Sequence, residues 1–175
     1  MKLFSENIED LRTLYITDLQ KALDMEQKIT KALPTMIEKS TDEQLARAFR
    51  SHLEETRGHV AKVESLLRDA KGESSSSTCK AISALITEAE DNIKDAGDAS
   101  IRDITLIASA QQIEHHEIAV YGTLRNWAEL LGQDGAANTL ESILEEEKNA
   151  DELLSTISDS VNTTAETRST QTTRV

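Results

Sequence analysis

Four long stretches of the chain repeat apolar residues at steps of three and four, the period of a helix that buries one face. The first carries Ile8, Leu11, Tyr15, Leu19, Ala22, Ile29, Leu33 and Met36. Pro34 is expected to kink this helix or to end it near Leu33, because its ring removes a donor and clashes with the preceding turn. The second runs from about Thr41 to about Ala70 along Leu45, Phe49, Val63 and Leu66. Ser40, Thr41 and Asp42 offer caps at its start, and Thr41 with Gln44 has capping-box spacing. The third spans roughly Ala99 to Leu131, with Ile104, Ile107, Ile118 and Tyr121 on its stripe. LGQDG then supplies a glycine stop and a turn. The fourth runs from about Ala136 to Val161 through Leu140, Ile143, Leu154 and Ile157.

Between the second and third stretches lies KGESSSSTC, a flexible connection by composition. A shorter amphipathic piece follows, from about Lys80 to Ala96. After Val161 the Thr-rich NTTAETRSTQTTRV has no periodicity, so residues 162–175 are expected to be a disordered tail. Residues 1–161 form the one predicted domain, long enough for a real core. Its coarse pattern is helix, short turn, helix, occurring twice. Short turns make antiparallel neighbours, and the long middle connection suits a crossover.

Six Gly, one Pro and 3% aromatic residues agree with an all-α chain and argue against a β-sandwich or barrel. The formal net charge of -13 repels phosphate backbones and anionic headgroups, so neither nucleic acid nor a membrane is an expected partner. MKLFSENIEDLR has acids where a signal peptide needs an apolar core, and no apolar run could span a bilayer. A soluble, cytoplasmic protein is expected. Cys79 is the only cysteine. Its setting, SSSSTC, reads as exposed linker.

Each long helix interrupts its stripe with an acid. The first has Glu26, and the second has Glu55 flanked by His52 and His59. The third has Glu114 with Glu117 beside it, and the fourth has Glu147 with Asp151 one turn on. Glu26 and Glu55 are centred on 40.5, at the Ser40–Thr41 turn, while Glu114 and Glu147 are centred on 130.5, beside the Leu131–Gly132 turn. Each hairpin therefore brings a glutamate pair to one level. If the hairpins pack face to face, four carboxylates meet in an apolar interior, where desolvation costs several kcal/mol per ion and like charges raise one another's pKa. Protons or hydrogen bonds could compensate. Lys and Arg are absent from the stripes at that level, so a divalent metal does so most economically, and mixed carboxylate and imidazole suits iron, manganese or zinc rather than calcium.

Several neighbours carry more than one reading. Asp151 is either a ligand or part of a solvated acidic face. His52 is a competing ligand, a donor that orients one, or a core histidine with its hydrogen bonds met. Tyr121 hydrogen-bonds a ligand, carries a redox role or is simply a buried tyrosine, the commonest of the three. His115 is expected at the surface, His116 between helices, and Trp127 in packing or a dimer contact. Gly58, costing roughly 1 kcal/mol relative to Ala within a helix, is expected to clear space for a neighbouring helix or ligand.

EQKITKALP, HLEETRGHV, QQIEHHEIAVYGTL and LEEEKNADELL together resemble the YciE/YciF-type ferritin-like family (DUF892), from Leu3 to about Ser160. The resemblance implies a ferritin-like four-helix bundle whose long crossover carries the extra short helix between the second and third long helices. It also implies a carboxylate-bridged dinuclear metal site, a homodimer and a link to bacterial stress responses. On this likeness Glu26 and Glu114 would be terminal ligands and Glu55 and Glu147 bridging ones, while Glu117 resembles the extra glutamate of rubrerythrin-like proteins. The chain departs from the usual Glu-x-x-His motif, having Gly58 and Ala150 at those positions. His59 and Asp151 lie one residue later, still one turn away and on the same side.

The expected function is that of a di-iron oxidoreductase, ferroxidase or peroxidase-like, which oxidises Fe(II) or reduces dioxygen or peroxide. Two metal ions are implied, iron first, with manganese or zinc as substitutes, and manganese would suit peroxide disproportionation. The alternative is a metal-free or structurally metallated helical module for dimerisation or partner binding in a stress response.

Overall fold

The computed structural model describes residues 8–172. The first seven residues of the expected domain and the last three of the tail lie outside them. The described residues form five helices and no strand: α1 (Leu11–Lys39), α2 (Glu43–Lys71), α3 (Lys80–Asp95), α4 (Ala99–Leu130) and α5 (Asp134–Thr172).

Aspartates start three of the helices by satisfying free amides of the first turn. Asp10 accepts from Thr13 N at 2.7 Å, Asp42 from Gln44 N and Leu45 N at 2.8 and 2.9 Å, and Asp98 from Ser100 N and Ile101 N. The cap of α2 is thus Asp42 rather than Thr41, whose amide and hydroxyl are both taken by Asp103 of α4. Gly72 and Gly132, at φ of 83° and 70°, adopt the left-handed conformation that stops a helix.

Three boundaries differ from expectation. α1 passes through Pro34 to Lys39 instead of ending near Leu33. Pro34 lies on the exposed face, where water can take the carbonyl deprived of its donor, while Leu33 and Met36 are buried on the other side and hold the last turns in place. Ile8 precedes α1 and is exposed, so it adds nothing to the stripe. α5 runs past Val161 through Thr172, so the backbone expected to be disordered over 162–172 is helical. That stretch holds neither Gly nor Pro, and extending a nucleated helix is cheap.

α1 packs on α2 and α4 on α5, while α1–α4 and α2–α5 contacts close the square. The result is a four-helix bundle with α3 on the long crossover, lying outside against α4 and α1. α4 therefore touches three helices and buries Leu106, Ile113 and Leu124 as well as Ile107 and Tyr121. The serine-rich connection, expected to be flexible, is fastened to α1. Ser77 N donates to Gln20 O at 3.0 Å and Cys79 N to Asp24 Oδ2 at 2.8 Å. Cys79 is consequently buried rather than exposed. No described helix is long and apolar enough to cross a membrane.

Candidate metal centre

The interrupted stripes meet inside the square. Glu26 comes from α1, His52 and His59 from α2, Glu114 and Glu117 from α4, and Glu147 from α5. All six are buried, and Glu26, His59, Glu117 and Glu147 are 0% exposed. They form two groups whose ligand atoms lie within 4.8 Å of one another: His52, Glu114, Glu117 and Glu147, and Glu26, His59 and Glu147. Glu147 belongs to both. The Tyr121 hydroxyl donates to Glu26 Oε1, and its ring meets His59 edge-on at 6.4 Å.

Hydrogen bonding leaves much of this cluster unmatched. Glu26 Oε2, Glu114 Oε2, both oxygens of Glu117 and Glu147, both nitrogens of His52 and Nδ1 of His59 are buried without an aligned partner. His59 Nδ1 lies 2.9 Å from Glu147 Oε1 and 3.7 Å from Glu26 Oε2, close but misdirected. Buried polar atoms normally find partners, so so many convergent lone pairs fit a group not made of protein. Burial drives the carboxyls of Glu26 and Glu117 up and that of Glu114 up to about 8. Burial also opposes charge on the imidazoles. For His52 the Glu55 contact and the charges of Glu114 and Glu147 outweigh it and raise the pKa to about 9, and for His59 the adjoining Glu147 and Glu26 raise it to about 10. Two imidazolium ions could offset at most two of four carboxylates. Oxygen and imidazole donors together suit iron, manganese or zinc.

Two residues expected as ligands stand outside the groups. The Glu55 side chain is 42% exposed, with Oε2 3.6 Å from His52 Nδ1. Two residues that share a level can still point differently, and His52, three residues earlier on α2, takes the inward direction instead. His52 Nε2 lies 3.3 Å from Glu114 Oε1. Asp151 is drawn to α4, 3.4 Å from His115 Nε2 and 3.3 Å from Gln111 Nε2.

Glu146, hidden in the acidic run EEEK, was not legible as a site residue. Its Oε2 lies 2.6 Å from His59 Nε2, and Lys62 Nζ donates to it at 2.9 and 3.1 Å. Glu146 thus stands behind His59 as carboxylates behind metal-binding imidazoles commonly do, holding Nε2 and leaving Nδ1 for the cluster, while Glu55 Oε2 is the carboxylate oxygen nearest the outer nitrogen of His52. The sequence carries no signal that separates Glu146 from the other acids of that run.

Of the remaining residues, His115 is exposed, and His116 is half-buried with Nε2 3.8 Å from Cys79 Sγ. Trp127 packs partly buried against the core. A Cβ on Gly58 would meet nothing within 4 Å, so among the described residues it clears space for no neighbour.

Residues 10–166 match the family described as Domain of unknown function (DUF892). The chain is 36% identical over 146 residues to Protein YciF of Escherichia coli, covering 83% of this chain and 88% of YciF. Among solved structures it is similar to YcfI from Rhodopseudomonas palustris, with TM-score 0.85 and 39% identity over 88% of this chain and 98% of that one. It is also similar to the Escherichia coli stress protein YciF, with TM-score 0.84 and 34% identity over 89% and 98%. A protein from Xanthomonas campestris, with TM-score 0.76 and 22% identity over 92% and 99%, shares the fold.

Proposed function

The chain belongs to the DUF892 family, and on that premise we propose that it is a di-iron oxidoreductase, oxidising Fe(II) or reducing dioxygen or peroxide in a stress response. The observation that carries this reading is Glu147, common to two groups of buried, unmatched donor atoms. In this reading Glu26 and His59 serve one position, His52, Glu114 and Glu117 the other, and Glu147 spans both. A bound pair of iron ions would supply two electrons to one oxidant from adjacent centres. Tyr121 fixes the Glu26 carboxylate, and the walls of the bundle exclude bulk water.

Glu55, a bridging ligand on the family resemblance, and Asp151, a candidate ligand on the fourth stripe, are assigned other work. Glu55 orients His52, and Asp151 ties α5 to α4 through Gln111. The stress role follows from the likeness to YciF, and a cytoplasmic homodimer belongs to the same reading. Protonated His52 and His59 favour the competing metal-free module, because they supply some of the missing positive charge.

Metal analysis of freshly purified protein, with Fe(II) oxidation followed by ultraviolet absorbance, decides between them. We expect about two ions per chain, and a loss of metal with oxidation slowed at least about tenfold in Glu147→Ala. Protein without stoichiometric metal, oxidising Fe(II) no faster than its Glu147→Ala variant, would be the helical module. Oxygen release from peroxide by manganese-loaded protein would move the assignment to manganese.

A further inference from the structure

Between α2 and α5 a cavity of about 150 Å³ ends on the cluster, with His52 and Glu114 in its wall. That is room for several waters or a partly hydrated cation. Ser51, Glu55, Glu146 and Asn149 place oxygen atoms along it, and Ala48 and Ala150 line it with single methyl groups. Ala150 occupies the position where the usual motif has histidine, so the missing ring leaves the passage open.

His52 gives this cavity its direction. It is only 6% exposed, both its ring nitrogens are unmatched, and it faces the space. Nδ1 looks outward to Glu55 Oε2 at 3.6 Å, while Nε2 looks inward to Glu114 Oε1 at 3.3 Å and Glu147 Oε2 at 3.9 Å. Ligating atoms therefore follow one another from the half-exposed Glu55 to the fully buried Glu147. A larger cavity of about 530 Å³ beside Cys79 shares no residue with the cluster and carries Lys21 and Lys80. It offers a cation no comparable route.

We propose, resting on the metal-binding reading above, that the α2–α5 cavity is the port by which a divalent cation reaches the cluster. Glu55 is the outer ligand, and His52 passes the ion inward to Glu114 and Glu147. Acidic linings of this kind raise the local cation concentration and the rate of association.

The test is uptake of Co²⁺ by the metal-free full-length protein, its rate read by stopped-flow visible absorption and its end point by metal analysis. Ala150→Leu, and separately Ala48→Leu, should slow uptake at least about tenfold with the same amount finally bound. Glu55→Gln should slow it about threefold and weaken its dependence on ionic strength. Ala119→Leu, which adds the same bulk to the lining of the cavity beside Cys79, should leave the rate unchanged. Circular dichroism establishes that each variant is helical, and the two alanine positions on different helices guard against one misfolding. Full binding at the wild-type rate in both alanine variants overturns the port while leaving the metal site standing, and so does equal slowing in Ala119→Leu. Wild-type protein that binds no Co²⁺ overturns the metal-binding reading itself, and the port with it.

Discussion

Asp103 is a buried carboxylate near the start of α4, and it takes three hydrogen bonds from the turn between α1 and α2. Thr41 N donates at 2.8 Å, Thr41 Oγ1 at 2.5 Å and Asp42 N at 3.0 Å. One side chain thereby fastens the first hairpin to the second, with Arg102 Nε adding a bond to Lys39 O at 3.0 Å. Truncation would strand two amides that now have a charged acceptor. Asp103→Ala should lower stability by about 1–3 kcal/mol in urea unfolding, whereas an effect near zero would mean that water takes over the turn. In the sequence Asp103 is one acid among many at a helix start, a place where acids are common for reasons of helix polarity alone. Glu146 escapes notice for a similar cause, since a residue in an acidic run declares its neighbours only once two helices are packed.

Among the elements, α2 carries the clearest conflict between local preference and site. It places Gly58 in the middle of a helix, where glycine costs conformational entropy and offers no side chain to pack. Since a Cβ there would meet nothing within 4 Å, Gly58→Ala should raise the protein's stability by about 0.5–1 kcal/mol, read as a higher melting temperature. A lower one would show that the position requires the absence of a side chain. Pro34 makes the complementary point on α1. A breaker ends a helix only when tertiary contacts do not hold the turns on either side, and Leu33 and Met36 hold them here. α4 shows why a stripe understates burial, because α3 covers a side of it that periodicity alone leaves to solvent.

For the molecule as a whole, the buried cluster sets how stability responds to pH. Burial raises Glu114 from 4.5 to about 8 and also raises Glu26 and Glu117, and the surrounding acids carry His52 and His59 from 6.5 to about 9 and about 10 despite burial. Every one of these folded values lies above its unfolded counterpart. The metal-free folded chain therefore binds more protons than the unfolded chain within those windows, and its stability falls as pH rises. Calorimetry on metal-free protein at constant ionic strength should show the melting temperature dropping from about pH 5 to about pH 9. Excess Zn²⁺ should flatten or reverse the trend, because bound cations replace the protons and bind more tightly as protons leave. A metal-free melting temperature that climbs over that range would contradict the desolvation on which the site reading depends.

What the sequence determined by itself was what repeats along one helix or mirrors across one turn: the helical class, the two hairpins, the extra helix on the crossover, and the levels of Glu26, Glu114 and Glu147. Those features follow from a 3.6-residue period and from equal distances to a turn, both of which are local. Only the tertiary structure decided which side of a level faces inward, because that depends on rotation about each helix axis and on what the opposite helix presents. A rotation of part of a turn turns Glu55 outward, brings His52 in, and puts Glu146 behind His59. The same packing seals Cys79 beneath a serine-rich stretch that composition alone would leave in solvent.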